Sequence, residues 1–111
     1  MTANRFATSL KPPYYAVIFT SQQSDDTKNY EETAARMFEL AQTMPGYLGV
    51  ESTCDESGLG ITVSYWQDKD SIANWKANSE HSAARKSGNE KWYEHYELRI
   101  AKIERTYNGP R

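Results

Sequence analysis

Residues 47–66, YLGVESTCDESGLGITVSYW, decide the fold. From Tyr47 to Asp55 the chain alternates, with Leu48, Val50, Ser52 and Cys54 against Tyr47, Gly49, Glu51 and Thr53, which is the two-residue period of a strand. Asp55-Glu56-Ser57-Gly58 supplies a turn, and Gly60 to Trp66 alternates again, Ile61, Val63 and Tyr65 on one side and Thr62, Ser64 and Trp66 on the other. This is a β-hairpin, and the flanking segments determine what it joins.

Upstream, Tyr14 to Thr20, YYAVIFT, is aromatic and β-branched, with Tyr15, Val17 and Phe19 on one face and Tyr14, Ala16 and Ile18 on the other. Both faces are apolar, as in a strand covered on both sides. After the polar SQQSDDTK segment, Asn29 followed three residues on by Glu32 has the form of a capping box. Tyr30, Ala34, Met37, Phe38, Ala41 and Met44 then recur at helical spacing until Pro45-Gly46 stops the helix.

Downstream, Asp68 caps a short helix whose inward residues are Ile72 and Trp75. Asn78-Ser79-Glu80 interrupts the pattern, since an unbroken helix would turn His81 away from Trp75. A cap at Asn78 or Ser79 resets the phase, placing His81 and Ala84 on one side of a second short helix that ends at Gly88 with Arg85 and Lys86 in its last turn. Trp92 to Tyr107 reads as a long final strand with a bulge.

The order βαββαβ predicts an α+β, ferredoxin-like fold: a four-stranded antiparallel sheet with the helices on one face. The other face is apolar and bare, and a second copy of the chain covers it most economically, so a homodimer is expected. Residues 1–13, with the stiff Lys11-Pro12-Pro13 run, form an arm; 14–107 form one domain, and 108–111 a tail. At 111 residues a second core is not expected.

Composition narrows the function. Thirteen Lys and Arg against fifteen Asp and Glu give a net charge of −2 with no basic run, which argues against nucleic acid as a partner. One cysteine, Cys54, allows no internal disulfide and no metal-ligand cluster, and its apolar strand predicts burial. No segment has the length of a membrane span or the apolar core of a leader, so a cytoplasmic setting is expected. Eight Tyr and three Trp exceed what a small core hides easily, because each ring's polar atom needs a partner. Some of these rings are expected to line a pocket or an interface.

Residues 60–92, from Gly60 to Trp92, concentrate the candidate chemistry. His81 has an unperturbed pKa near neutrality and could take a phenolic proton; it could equally be a helix-cap histidine satisfied by a backbone carbonyl. Trp66, at a strand end beside Thr62 and Ser64, suits a stacking wall, whereas Trp75 at helical spacing from Ile72 suits core packing as well as ligand contact. Arg85 could hold a carboxylate, or serve the last turn of its helix. Asn74 could donate to an oxyanion, or be solvated. Tyr65 points opposite to Trp66, and Trp92, Tyr93, His95 and Tyr96 form an aromatic cluster suited to packing.

The segments PGYLGVES, ITVSYW, DKDSIANWK, EHSAARKSG and KWYEHYELRIAKIER together resemble the antibiotic biosynthesis monooxygenase (ABM) domain family, of the dimeric α+β barrel superfamily, over Tyr14 to Arg105. The resemblance implies a dimer with a cavity in each subunit between sheet and helices, and oxidation of a small aromatic substrate, phenol or quinol-like, by molecular oxygen with no cofactor. It implies a pocket tryptophan at Trp66; with the side-chain chemistry above, His81 as base and Trp66 are the expected catalytic residues, and Trp75, Tyr65, Asn74 and Arg85 are expected around the substrate. Members that degrade haem carry an Asn in the first strand and an axial His late in the second helical region. Phe19 and Arg85 stand near those positions here, which leaves haem the less favoured reading, with His81 one helical turn earlier as its substitute ligand. A non-catalytic binding module for an apolar metabolite is the alternative within the same fold.

Overall fold

The computed structural model describes residues 5–8 and 10–110; the remainder of the expected arm, residues 1–4 and 9, and Arg111 of the expected tail lie outside the described residues. The elements follow the order β1 (Tyr14–Gln23), α1 (Tyr30–Ala41), β2 (Tyr47–Cys54), β3 (Leu59–Trp66), α2 (Lys69–Ala77), α3 (Ser79–Ser87), a π-helical turn (Gly88–Trp92) and β4 (Tyr93–Ile103). The strands form one antiparallel sheet in the order β2-β3-β1-β4. The expected βαββαβ fold is observed, with its second helical region broken. Among the described residues no helix is long and apolar enough to cross a membrane.

Register fixes the two faces. Tyr15 lies opposite Trp66, Val17 opposite Ser64 and Ile100, and Phe19 opposite Thr62 and Leu98. Directly opposed residues in an antiparallel pair share a face. That face looks toward the helices, because Trp66 packs on Trp75 of α2 and Phe19 packs on Tyr93, which in turn meets Tyr30 of α1. The outer face carries Tyr14, Ala16 and Ile18 with Tyr65, Val63 and Ile61. Near the Trp66 end it is well covered, Tyr14 and Ala16 being buried; at the hairpin end Leu59 and Ile61 are exposed. Part of the arm lies over this face. The Ala7 N–H donates to Glu51 Oε2 at 3.0 Å, and Oε1 of the same carboxylate accepts the Tyr65 hydroxyl at 2.7 Å.

Several local expectations need correction. β1 runs three residues beyond Thr20, carried by pairing with both neighbours. Asn29 is not a side-chain cap: it adopts a left-handed conformation, φ 67°, and its side chain bonds nothing in the helix. Asparagine tolerates that region, and the turn closed by Tyr30 N–H on the Thr27 carbonyl delivers the chain into α1 instead. The inward stripe of α1 is Tyr30, Thr33, Met37, Leu40 and Ala41, whereas Ala34 and Phe38 are exposed. The stripe is rotated because α1 leans on α3 as well as on the sheet.

Cys54 is exposed, not buried, since it lies at the hairpin end of edge strand β2, beyond the helices. Gly88 ends α3 but is not a left-handed cap; its φ is −60° and the backbone continues into the π-helical turn. What it supplies there is room, as a Cβ would sit 2.8 Å from the Tyr93 ring. Trp92 belongs to that turn, and the final strand starts at Tyr93 and ends at Ile103, with its register shift against Gln22 and Gln23.

Gly46 fixes how α2 meets the sheet. Its φ is +83°, its carbonyl accepts the Gln67 N–H at 2.7 Å, and a Cβ there would lie 1.9 Å from Ser71 Oγ. Ser71 is itself buried and held, its N–H and hydroxyl both donating to Asp68 Oδ1 at 2.8 and 2.7 Å, which is the expected cap of α2. Gly46→Ala adds left-handed strain to a steric clash and is expected to destabilise the fold by about 2–4 kcal/mol, read from urea unfolding.

Candidate functional site

The helical break occurs at Asn78. Its backbone leaves the helical region, φ −57° and ψ 129°, ending α2 and beginning α3. The Asn78 N–H donates to the Trp75 carbonyl at 3.2 Å, and its side-chain Oδ1 accepts the His81 N–H at 3.0 Å. One asparagine thus closes one helix and caps the next. The new phase swings His81 back over α2, so that its ring stacks on Trp75 with centroids 4.0 Å apart and planes 10° from parallel.

That stack continues into the sheet. Trp75 lies on Trp66 at 6.0 Å and 27°, and Trp66 meets Tyr47 edge-on at 5.6 Å. Trp66 is fully enclosed, with 0% of its surface exposed, and its indole N–H donates to Ser64 Oγ at 2.9 Å. The four rings form a continuous row, Tyr47, Trp66, Trp75, His81, in which Trp75 separates Trp66 from His81. Trp66 and His81, the two expected catalytic residues, are not in contact but are joined through the intervening Trp75 ring. Tyr47 is the member that sequence reasoning missed. Its alternation was visible, but only the irregular pairing between Tyr47 and Gly49 brings its ring to the Trp66 side.

His81 is the chemically distinctive member. Its Nδ1 lies 2.9 Å from the Trp75 carbonyl oxygen. A carbonyl accepts, so Nδ1 carries the proton and Nε2 holds the lone pair in the neutral ring. Burial pushes the imidazole below its ordinary pKa; the carbonyl contact opposes this, and the nearby Arg85 charge adds to the lowering. At neutral pH His81 is therefore an uncharged base of defined tautomer. No carboxylate stands behind it among the described hydrogen bonds, so its orientation comes from the carbonyl and the stack.

The other expected site residues are dispersed. Asn74 and Arg85 are exposed on α2 and α3. Tyr65 is on the outer face, edge-on to Tyr14 at 5.7 Å and hydrogen-bonded to Glu51, and burial together with that carboxylate holds its hydroxyl well above the usual tyrosine range. It cannot line one pocket with Trp66 inside a single subunit. At the haem-related positions, Phe19 is packed on Tyr93 and Tyr96 at 5.3 and 5.2 Å, and Arg85 is exposed, so neither offers a polar group directed at an enclosed haem.

Trp92, Tyr93 and Tyr96 pack as expected, whereas His95 lies outside the cluster, exposed, with Nε2 2.7 Å from Glu97 Oε2. Tyr30 meets Trp92 at 5.5 Å and Tyr93 at 6.0 Å, and the Trp92 indole N–H donates to the Lys28 carbonyl at 2.9 Å. A cleft of about 360 Å³ lies between α1 and α3, with Met37, Ala83, Ala84 and Trp92 among its walls. Across it Arg36 makes a two-point ion pair with Glu80, at 2.5 and 3.0 Å. These two residues are 44 positions apart, and nothing in the sequence pattern pairs them.

A four-stranded antiparallel sheet in the order βαββαβ, with its helices on one face, defines an α+β domain of the ferredoxin-like kind. The chain belongs to the antibiotic biosynthesis monooxygenase family, whose model matches residues 13–87. It is 52% identical over 95 residues to the uncharacterised protein YqjZ of Bacillus subtilis (strain 168), spanning 86% of this chain and 83% of that one. Its fold is similar to that of SnoaB, a cofactor-independent oxygenase from Streptomyces nogalater, with a TM-score of 0.73 at 11% identity over 86% of this chain and 97% of that one. A conserved protein from Methanosarcina mazei Go1 is similar at a TM-score of 0.73 and 10% identity, over 83% of this chain and 94% of that one. At these identities the structural likeness is one of fold.

The lowered His81 pKa has a thermodynamic consequence. Because the folded state holds the imidazole less basic than the unfolded chain does, the unfolded chain binds more protons just below pH 6.5. This contribution to stability is complete above about pH 6.5 and is lost as pH falls through the folded-state value. The His81 ring resonances are expected to titrate with a midpoint below 6.5, and His81→Gln should remove that part of the pH dependence of urea unfolding. A midpoint at or above 6.5 would contradict the burial argument.

Proposed function

We propose that this chain is a monooxygenase that oxidises a small phenol or hydroquinone with molecular oxygen and without a cofactor, His81 acting as the base. The observation that carries the reading is the His81–Trp75 contact, which leaves Nε2 as a free acceptor on a neutral ring. Nε2 takes the hydroxyl proton, and the resulting phenolate gives one electron to oxygen. Collapse of the radical pair forms a carbon–oxygen bond, the proton on Nε2 returns to the outer oxygen to give the ring hydroperoxide, and loss of water with the hydrogen of the same ring carbon leaves a quinone carbonyl. The substrate supplies all the electrons: one ring C–H and one O–H are lost, one oxygen atom enters the ring and the other leaves as water.

Basicity narrows the substrate. An ordinary imidazole is already about 3.5 units less basic than a phenolate, roughly 5 kcal/mol, and burial widens the gap. Proton transfer is then practicable for a phenol acidified by a neighbouring carbonyl, and poor for a simple phenol. Trp66 serves as the fixed backing of the stack, with Trp75 as the ring closest to His81. With an acidified hydroxynaphthoquinone-type substrate, His81→Ala is expected to lower oxygen uptake by about 10²–10⁴-fold while leaving the fold intact. Unchanged turnover in that variant would remove His81 from the chemistry.

Among the described residues no carboxylate hydrogen-bonds His81, and Trp66 is sealed from any ligand; both favour a second reading. This is a non-catalytic binding module for an apolar metabolite; binding of the same compound with no oxygen consumed would select it. We propose a cytoplasmic homodimer in which a second copy covers the outer sheet face, where Leu59 and Ile61 are exposed. Sedimentation velocity at micromolar concentration should give a dimer, and Ile61→Lys should shift the population toward monomer.

A further inference from the structure

We propose that the cleft between α1 and α3 is a second binding site, for a small neutral aromatic ring, barred on its outer side by the Arg36–Glu80 ion pair. The cleft is separate from the aromatic row. Glu80, Ala83, Ala84 and Ser87 lie on one side of α3 at helical spacing and face it, while His81 is turned away onto Trp75. This inference does not depend on His81 being a base.

Four features build the site. Its volume of about 360 Å³ is within the range of small-molecule pockets. Two consecutive alanines, Ala83 and Ala84, keep α3 from filling the gap, and Met37 opposite is a side chain that adapts to irregular shapes. The Trp92 wall is fixed before any ligand arrives, since Trp92 is buried, its indole N–H is engaged by the Lys28 carbonyl, and Tyr30 abuts its ring. The rim selects against anions: Arg36 is already neutralised by Glu80, and Glu32 makes no ion pair among the described residues, so the net charge at the mouth is negative.

The ion pair joins the two helices across the opening. Both partners are solvent-exposed, so the pair adds little to global stability, and its effect falls on how readily the cleft opens.

The three tryptophans make the test selective. In the full-length protein, 2-naphthol, neutral at pH 7, is titrated while the three assigned indole N–H signals are followed by NMR. The Trp92 signal is expected to move saturably, with those of Trp66 and Trp75 unmoved. Ala84→Leu should weaken binding at least tenfold with the melting temperature preserved, and Ala83→Leu replaces it if that variant does not fold. Negatively charged 2-naphthoate should bind at least tenfold more weakly, and Glu80→Gln should speed dissociation several-fold. Movement confined to Trp66 and Trp75 would locate the ring on the His81 stack and overturn the cleft site, as would the absence of saturable binding up to about 1 mM. Filled variants that bind like the parent would overturn it too.

Discussion

Everything distinctive about the helical layer depends on Asn78. A continuous helix from Lys69 to Ser87 would have one phase, and Trp75 and His81, six residues apart, would point in widely different directions. The extended ψ of Asn78 cancels that phase, and its amide oxygen starts a new one. The Trp75 carbonyl, left unsatisfied at the end of α2, then receives both the Asn78 N–H and the His81 ring. The interruption is thus satisfied locally, and the histidine is held by the same carbonyl that the break exposes.

The sheet contributes a rigid foundation for this arrangement. Trp66 ends β3 between the pairing partners Tyr15 and Tyr47, fully buried, with its one polar atom satisfied within its own strand. A buried Trp of this kind typically costs 3–5 kcal/mol, roughly, to truncate, so the end of β3 is among the positions least free to move. Trp75 rests on it, and His81 on Trp75. The order runs from the most buried ring to the one nearest the helix surface, so orientation passes outward from the core to the only titratable member near neutrality.

Much of this was legible in the residues. Alternation revealed the hairpin and both faces of β1 and β3, and the polar run Asn78-Ser79-Glu80 revealed the broken helix, because these signals are local and set by backbone period. The phase of α1 was not legible. Ala34 and Phe38 are as apolar as Thr33 and Leu40, and only the lean of α1 on α3 decides between the two stripes. Cys54 shows the same limit, since its alternation is that of a buried residue while its place at the far end of an edge strand exposes it. Within the site, the separate candidacies of Trp66, Trp75 and His81 could be read, but not their order in a row, which is a matter of three dimensions. Arg36 and Glu80, on different helices, left no pattern at all.

The partner of His81 also bears on what chemistry the residue suits. A carboxylate behind an imidazole would stabilise the charged ring and make it a stronger base. A carbonyl fixes the same tautomer with a dipole instead of a charge and favours the protonated ring only weakly, so burial on a tryptophan face outweighs it and opposes protonation. Such a histidine is a weak base that is predominantly in its basic form at neutral pH. It is suited to removing a proton that is already acidic and to returning it readily, and poorly suited to deprotonating a simple phenol. In the proposed reaction, discrimination would rest on the acidity of the substrate hydroxyl, with the burial of the His81 ring setting the threshold.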